Sequence, residues 1–328
     1  RRGTMRALQL GQLEGPEGLK LVDLPEPEAG DQVLIDVVAA GVSFPDLLLS
    51  RGQYQVKPPL PFVPGVDVAG VVRSAPAGAG VKAGDKVMAF TLLGGWADVV
   101  AAAPGMTFRI PEGWSFEAAA GTVMNYHTAY FALHRRGRLR TGETVLIHGG
   151  AGGLGTAAVQ VARGSGARVF AVVSTEEKAE VARSAGADRS FLSSGDWVSR
   201  VMDATKGKGV GMVMDTVGGD IFDQSLKCLA PEGRLLVVGF AGGRIPEVKV
   251  NRLLLNNIDV VGVAWGAFVM QKPQYTAEVG KALAGLADKG FVEPVVEKVF
   301  PLEQAAQALR ELESRQATGK VVLRLREG

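Results

Sequence analysis

Residues 144 to 155 read Thr-Val-Leu-Ile-His-Gly-Gly-Ala-Gly-Gly-Leu-Gly, and the fold can be worked out from them. Val145 to Ile147 is an apolar run of strand character. It opens into Gly150-x-Gly152-x-x-Gly155, and Thr156 to Arg163 then reads as a helix. Glycines let the backbone turn tightly and come close to a ligand, while a helix start offers unpaired N–H groups to a pyrophosphate. A bare glycine pattern is weak evidence. Between a strand and a helix it is the dinucleotide-binding fingerprint, and Gly150, Gly152, Gly153, Leu154 and Gly155 become candidates for holding a nucleotide. The bland alternative is a glycine-rich turn with no ligand.

Working outward, the same rhythm continues downstream. Val169–Val173, Ser190–Leu192, Gly211–Asp215, Arg234–Val238 and Ile258–Val263 read as strands. Helical stretches lie between them near Glu176–Ala185, Trp197–Lys206 and Gly219–Leu229. With the first strand this makes a six-stranded, doubly wound parallel sheet, so the fold class is α/β. Upstream of about residue 124 the chain is rich in strands broken by Gly and Pro. Leu34–Ala40, Val66–Val72, Lys86–Phe90 and Ala97–Ala101 suggest a mostly antiparallel β domain. The tail holds an amphipathic helix at Tyr275–Lys289, a second at Leu302–Leu312, and a strand at Gly319–Leu323. It is expected to fold back on the first domain. The expected division is therefore 1–124, 125–268 and 269–328, the last part returning to the first.

Composition narrows the class of function. The 328 residues exceed one ordinary core, and 36 basic residues against 34 acidic ones imply no polyanion partner. No basic tract interleaves with aromatics, so no nucleic-acid partner is expected. No secretory segment and no long uncharged span of membrane length is found. Arg1 to Thr4 read as a vector remnant ahead of a native start at Met5. The single cysteine, Cys228, excludes an internal disulfide and fits a reducing cytoplasm.

Four blocks together resemble the medium-chain dehydrogenase/reductase superfamily, in its zinc-free quinone oxidoreductase (zeta-crystallin-like) branch. They are Gly41-Val42-Ser43-Phe44-Pro45-Asp46, the run Pro61 to Gly70, the glycine fingerprint, and Asn256-Asn257 through Gly262 to Gly266. The resemblance implies a GroES-like catalytic domain, a Rossmann domain, and a homodimer built on the last Rossmann strand. In zinc-dependent branches a Cys follows the Gly-Val turn and a His-Glu pair sits in the Pro-Gly block. Here those places hold Ser43 and Val66-Asp67. One cysteine cannot supply a four-cysteine structural zinc lobe, and His127, His134 and His148 show no ligand spacing. Each histidine reads as a loop or helix-surface residue, and no metal is expected.

Without a Lewis acid, alcohol oxidation is difficult, and hydride donation to an electron-poor quinone or α,β-unsaturated carbonyl is easier. The second Rossmann strand ends at Ser174, where an NAD-selective site would carry an acid. Ser174 tolerates a 2′-phosphate, and Lys178 supplies positive charge, as a lysine in this Glu-Lys context does in the family. NADPH is therefore the expected cofactor. The competing role for Lys178 is a surface pair with a neighbouring glutamate.

Ser43 matches a helix capping box with Asp46, and the resemblance also places it beside the nicotinamide and substrate. Tyr54 matches a tyrosine lining the active-site cleft of quinone oxidoreductases, able to bond or stack on a quinone or, with a lowered pKa, to donate the proton that follows hydride transfer; its alternative is to anchor a loop. A second family tyrosine falls at Leu48. Thr128 matches a threonine against the nicotinamide and cofactor phosphate, or is an ordinary helix-start residue. Gly239-Phe240 and Val263 to Gly266 follow the fifth and sixth strands, where backbone groups could hold the nicotinamide carboxamide. Trp265 reads mainly as packing at a domain or dimer junction. Asp46 and Asp67 are explained by capping and turn roles. The reading is a cytoplasmic, zinc-free NADPH:quinone oxidoreductase. Its rivals are an enal or enoyl-thioester reductase, for which Arg51, Lys57 and Arg252 are candidate tail contacts, and a non-catalytic NADPH-binding protein.

Overall fold

The structure is a computed structural model that describes residues 3–328. Of the expected four-residue remnant, Arg1 and Arg2 lie outside the described residues, whereas Gly3 accepts a hydrogen bond from the Glu26 N–H (2.9 Å) and Thr4 opens a strand.

The chain begins with β1 (Thr4–Leu10) and β2 (Leu19–Pro25), an antiparallel pair, and then β3 (Val33–Val42). Helix α1 (Phe44–Ser50) follows, then β4 (Asp67–Ser74), β5 (Lys86–Phe90), β6 (Val99–Ala102), β7 (Thr107–Arg109) and α2 (Phe116–Ala120). β3 is buried almost along its whole length because it pairs with neighbours on both sides; its run of Val, Ile and Ala suits that position. Helix α3 (Val123–Tyr130) continues into a π-helical turn at Phe131–Arg136.

The parallel sheet follows: β8 (Thr144–His148), α4 (Gly153–Gly164), β9 (Arg168–Val173), α5 (Glu176–Ala185), β10 (Arg189–Leu192), α6 (Trp197–Ala204) and β11 (Val210–Asp215). Then come α7 (Gly219–Ser225), β12 (Leu229–Val237), α8 (Asn251–Asn256), β13 (Asp259–Gly262), α9 (Trp265–Gln271) and α10 (Tyr275–Asp288). The order across the sheet is β10-β9-β8-β11-β12-β13, every pairing parallel. Strand order therefore reverses between β8 and β11, the place where such sheets receive ligands at the carboxyl ends of the strands. The β8 residues Val145, Leu146 and Ile147 are fully buried, as expected of a strand covered on both faces.

The chain closes with β14 (Val296–Pro301), α11 (Ala305–Glu313) and β15 (Lys320–Arg324). These join the first sheet, whose order is β14-β15-β3-β4-β5-β7 with β6 also on β3. Two compact units result: residues 1–125 with 294–328, and residues 126–293. The return to the first unit thus begins at Pro294 rather than at residue 269, because α10 belongs to the second unit. The first unit's core centres on Ile35, Val68, Trp96 and Leu323, and the second unit's on Phe170, Phe191, Trp197 and Leu235.

Candidate active site

In the second unit the glycine fingerprint forms a cradle. α4 begins at Gly153 with Gly152 as its N-cap, so the helix starts three residues earlier than the apolar pattern alone suggests. A side chain at Gly155 would run into the carbonyl of Gly149, 2.7 Å from its carbon, whereas at Gly152 the nearest atom would lie 3.5 Å away. The close contact at Gly155 packs helix against strand, and the space at Gly152 leaves room for a ligand. Amides in the first turn of a helix have no partner within it, and those of Gly153, Leu154 and Gly155 are available for a diphosphate.

Ser174 is exposed immediately past β9, and Thr175 caps α5 by accepting the Lys178 N–H (3.2 Å). Lys178 is half-buried in the first turn of α5. No carboxylate ends β9. Gly239 and the exposed Phe240 follow β12, and Val263 follows β13 with its N–H donating to the Val237 carbonyl (2.9 Å). All of these sit at the carboxyl edge of the parallel sheet, so the fold gathers the fingerprint, Ser174, Lys178, Gly239, Phe240 and Val263 on one edge. Trp265 starts α9, is buried, and its ring centroid lies 5.8 Å from that of His127. Thr128 lies inside α3 and half-buried, not at a helix start.

The histidines need correction as well. His127 and His148 are buried, at 3% and 1% exposure, rather than on loops or helix surfaces. Burial pushes each imidazole down to about 3, so both are neutral. Ser225 gives its hydroxyl hydrogen to the Ile221 carbonyl (2.6 Å), which leaves His148 Nε2, 2.7 Å away, as the donor to Ser225 Oγ.

The first unit holds Ser43, Tyr54 and the acidic residues. Ser43 is the N-cap of α1, and its N–H donates to Asp46 Oδ2 (2.8 Å), while Asp46 Oδ1 accepts from the Gly65 N–H (3.1 Å). Asp46 therefore has the expected capping role. Asp67 is not in a turn. It opens β4, is 1% exposed, and accepts the Met124 N–H through Oδ1 (3.2 Å). Burial raises Asp46 to about 7 and Asp67 to about 6.

Tyr54 is half-buried against Leu10, Leu49 and Phe62. Burial, with a smaller push from Asp46, raises its phenol above the ordinary value. That suits a hydrogen-bonding or stacking group and not an acid. Leu48 is half-buried, and Arg51, one of the basic residues considered for an acyl tail, is paired with Glu313 of α11 at 2.6 Å.

The sequence reading missed Lys320. It opens β15 at 5% exposure, and its Nζ donates to Ser43 Oγ (2.5 Å) and lies 3.9 Å from Asp67 Oδ2. The only available signal was a lone charge leading the apolar run Val321-Val322-Leu323.

Comparison with known proteins agrees with this architecture. Residues 29–131 match the family described as the alcohol dehydrogenase GroES-like domain, and residues 153–283 that described as zinc-binding dehydrogenase. A rat protein named quinone oxidoreductase-like protein 2 is 37% identical over 98% of this chain and 92% of its own length. A Mycobacterium abscessus protein titled a probable oxidoreductase is 46% identical with a TM-score of 0.91, covering 99% of this chain and 100% of its own. Escherichia coli quinone oxidoreductase complexed with NADPH is 29% identical with a TM-score of 0.88, covering 98% and 100%. The fold and the nucleotide cradle define a two-unit dehydrogenase of GroES-like and Rossmann type. The chain belongs to the medium-chain dehydrogenase/reductase superfamily, in its quinone oxidoreductase-like branch.

Zinc does not fit the residues present. Where zinc-dependent members carry a thiol and a His-Glu pair stand Ser43, Val66 and Asp67, and neither a hydroxyl nor an isopropyl group replaces a soft or imidazole ligand. An ammonium lies beside two of those three positions. Among the described residues no group of three or more His, Cys, Asp or Glu could hold a metal ion.

Proposed function

We propose that this chain catalyses the NADPH-dependent reduction of a quinone or similarly activated carbonyl without zinc. The observation that carries the reading is the end of β9, where Ser174 and Lys178 follow a complete glycine cradle and no acid stands. A 2′-phosphate would meet a hydroxyl and a cation there, and a protein titled as an NADPH complex aligns over 98% of the chain at 29% identity. NADPH, when bound, supplies the hydride. The first-turn amides of α4 would hold the diphosphate, and the backbone after β12 and β13 would receive the nicotinamide carboxamide. Thr128 contributes a hydroxyl to the cofactor. Tyr54 bonds or stacks on the acceptor, and Ser43 donates to its oxygen.

The partner of this chain is a second copy. β13 pairs only with β12 among the described residues, and exposed Leu254, Leu255 and Met270 lie on the adjoining α8 and α9. Among the described residues no helix is long and apolar enough to cross a membrane. Buried Cys228 is compatible with a reducing cytoplasm.

The test follows the loss of NADPH absorbance with phenanthrenequinone and a medium-chain 2-enal in parallel, with NADH as control. Fast turnover of the quinone with NADPH is expected. Preference for the enal would make the protein an enal reductase. Tight NADPH binding with no turnover of either would overturn the enzyme reading.

A further inference from the structure

Buried lysines are rare in protein interiors, and this one is accommodated by its surroundings. A Cβ at Gly121 would meet the Lys320 side chain, 2.8 Å from Cδ, and one at Gly41 would lie 3.0 Å from Cε and 2.7 Å from the Ala120 carbonyl oxygen. Two glycines on separate segments, one in β3 and one after α2, thus leave a slot that the methylene chain fills. At its end the ammonium meets Ser43 Oγ and lies near Asp67 Oδ2, a buried oxygen with no hydrogen-bond partner. These two residues stand at two of the positions where zinc-dependent members carry ligands.

A charged ammonium only donates, so Ser43 Oγ must accept from it, and the hydroxyl's own hydrogen must point elsewhere. No acceptor for that hydrogen is found among the described residues. We propose that Lys320 is the positioning residue of the catalytic unit, fixing Ser43 as the hydrogen-bond and proton donor to the acceptor's carbonyl oxygen.

The inference rests on the quinone reductase reading. In the step, a hydride from NADPH brings two electrons to the quinone, and the oxygen that becomes negative takes the Ser43 hydroxyl proton. Lys320 gives a proton to Ser43 Oγ as that O–H bond breaks, and solvent returns one to the amine. Quinone plus hydride plus one proton gives the hydroquinone, and NADPH leaves as NADP⁺. Burial lowers the ammonium's affinity for its proton, with Asp67 and Asp46 opposing, which favours such a transfer.

The experiment compares Lys320→Met with the double variant Lys320→Met/Asp67→Asn. Methionine fills the slot without charge. Alone, it leaves Asp67 buried without its counterion and should lower the melting temperature; the double variant removes that charge and should restore it. Expected for both variants is a fall in kcat with phenanthrenequinone of about a hundredfold, with NADPH affinity within about twofold of the parent. Adding Ser43→Ala to Lys320→Met should cost little more, because the two residues act as a unit. Recovery of kcat together with the melting temperature would reduce Lys320 to a structural counterion and overturn the proposal, as would a parallel loss of NADPH binding. If the parent protein oxidises NADPH with no quinone, the functional reading fails by itself. The Lys320 ε-carbon resonance then still judges the contact: it must shift on Ser43→Ala, and an unchanged resonance sinks the proposal.

Discussion

At Ser174 and Lys178 the proposed choice between two nearly identical cofactors rests on a few atoms. A carboxylate in this position would accept both ribose hydroxyls, whereas a neutral serine followed one turn later by a cation suits a phosphate. Lys178→Ala should raise the KM for NADPH by about tenfold while changing that for NADH much less, since one phosphate–ammonium contact is worth roughly 1.5–3 kcal/mol. Steady-state kinetics with both nucleotides measures it, and equal losses for the two would remove Lys178 from the phosphate site. These residues could be proposed from the sequence because the elements around them follow local order: strand, turn, capped helix. Lys320 was not, because nothing local shows that a charge at the start of a strand will be buried. Asp67 was misread for the same reason. Its environment is made by residues 57 and 253 positions away, Met124 and Lys320.

At the scale of elements, the join between β8 and α4 has the least tolerance. Gly155→Ala should abolish nucleotide binding or soluble expression, because its Cβ would displace the Gly149 carbonyl and with it the first-turn amides. Fluorescence titration with NADPH on whatever folds reads the effect, and affinity close to the parent's would show that the turn can relax. The sequence pattern matches α5 at its observed bounds and five of the six parallel strands to within one residue, since buried apolar runs punctuated by glycine are a strong signal, whereas β12 begins five residues before the expected Arg234. The β1–β2 pair went unread. β2 is largely exposed, so its apolar residues do not alternate cleanly with polar ones. The π-helical turn after α3 has no sequence signature at all. α10 was assigned to the wrong unit because an amphipathic pattern shows that a face is buried without showing against what.

Across the whole molecule, buried titratable groups set opposing responses to acid. In the second unit His127 and His148 are held neutral, with folded values of about 3 against 6.5 when unfolded. Between pH 6.5 and 3 the unfolded chain binds the protons and the folded one does not, so this unit loses stability as pH falls. Asp215, raised by burial, opposes this, but as one group against three imidazoles, because burial lowers His134 as well. In the first unit Asp46 and Asp67, raised to about 7 and 6, bind protons in the folded state first. That unit therefore gains stability as pH falls from about 7 toward the ordinary carboxylate value. Hydrogen exchange at pH 7 and 5, corrected for intrinsic rates, should show β8 and β9 losing protection relative to β3 and β4. The reverse order would contradict the neutral histidines.

The position of β15 also bears on how the protein is made. It lies between β14 and β3, so the first unit's sheet gains these last two of its seven strands only after residues 126–293 have been synthesised. Until Lys320 leaves the ribosome, Asp46 and Asp67 have no ammonium to sit beside, and collapse of residues 1–125 would strand two carboxylates in an apolar interior. Premature closure is thereby disfavoured. A chain that ends before β15 leaves Ala39–Val42 of β3 without that partner strand.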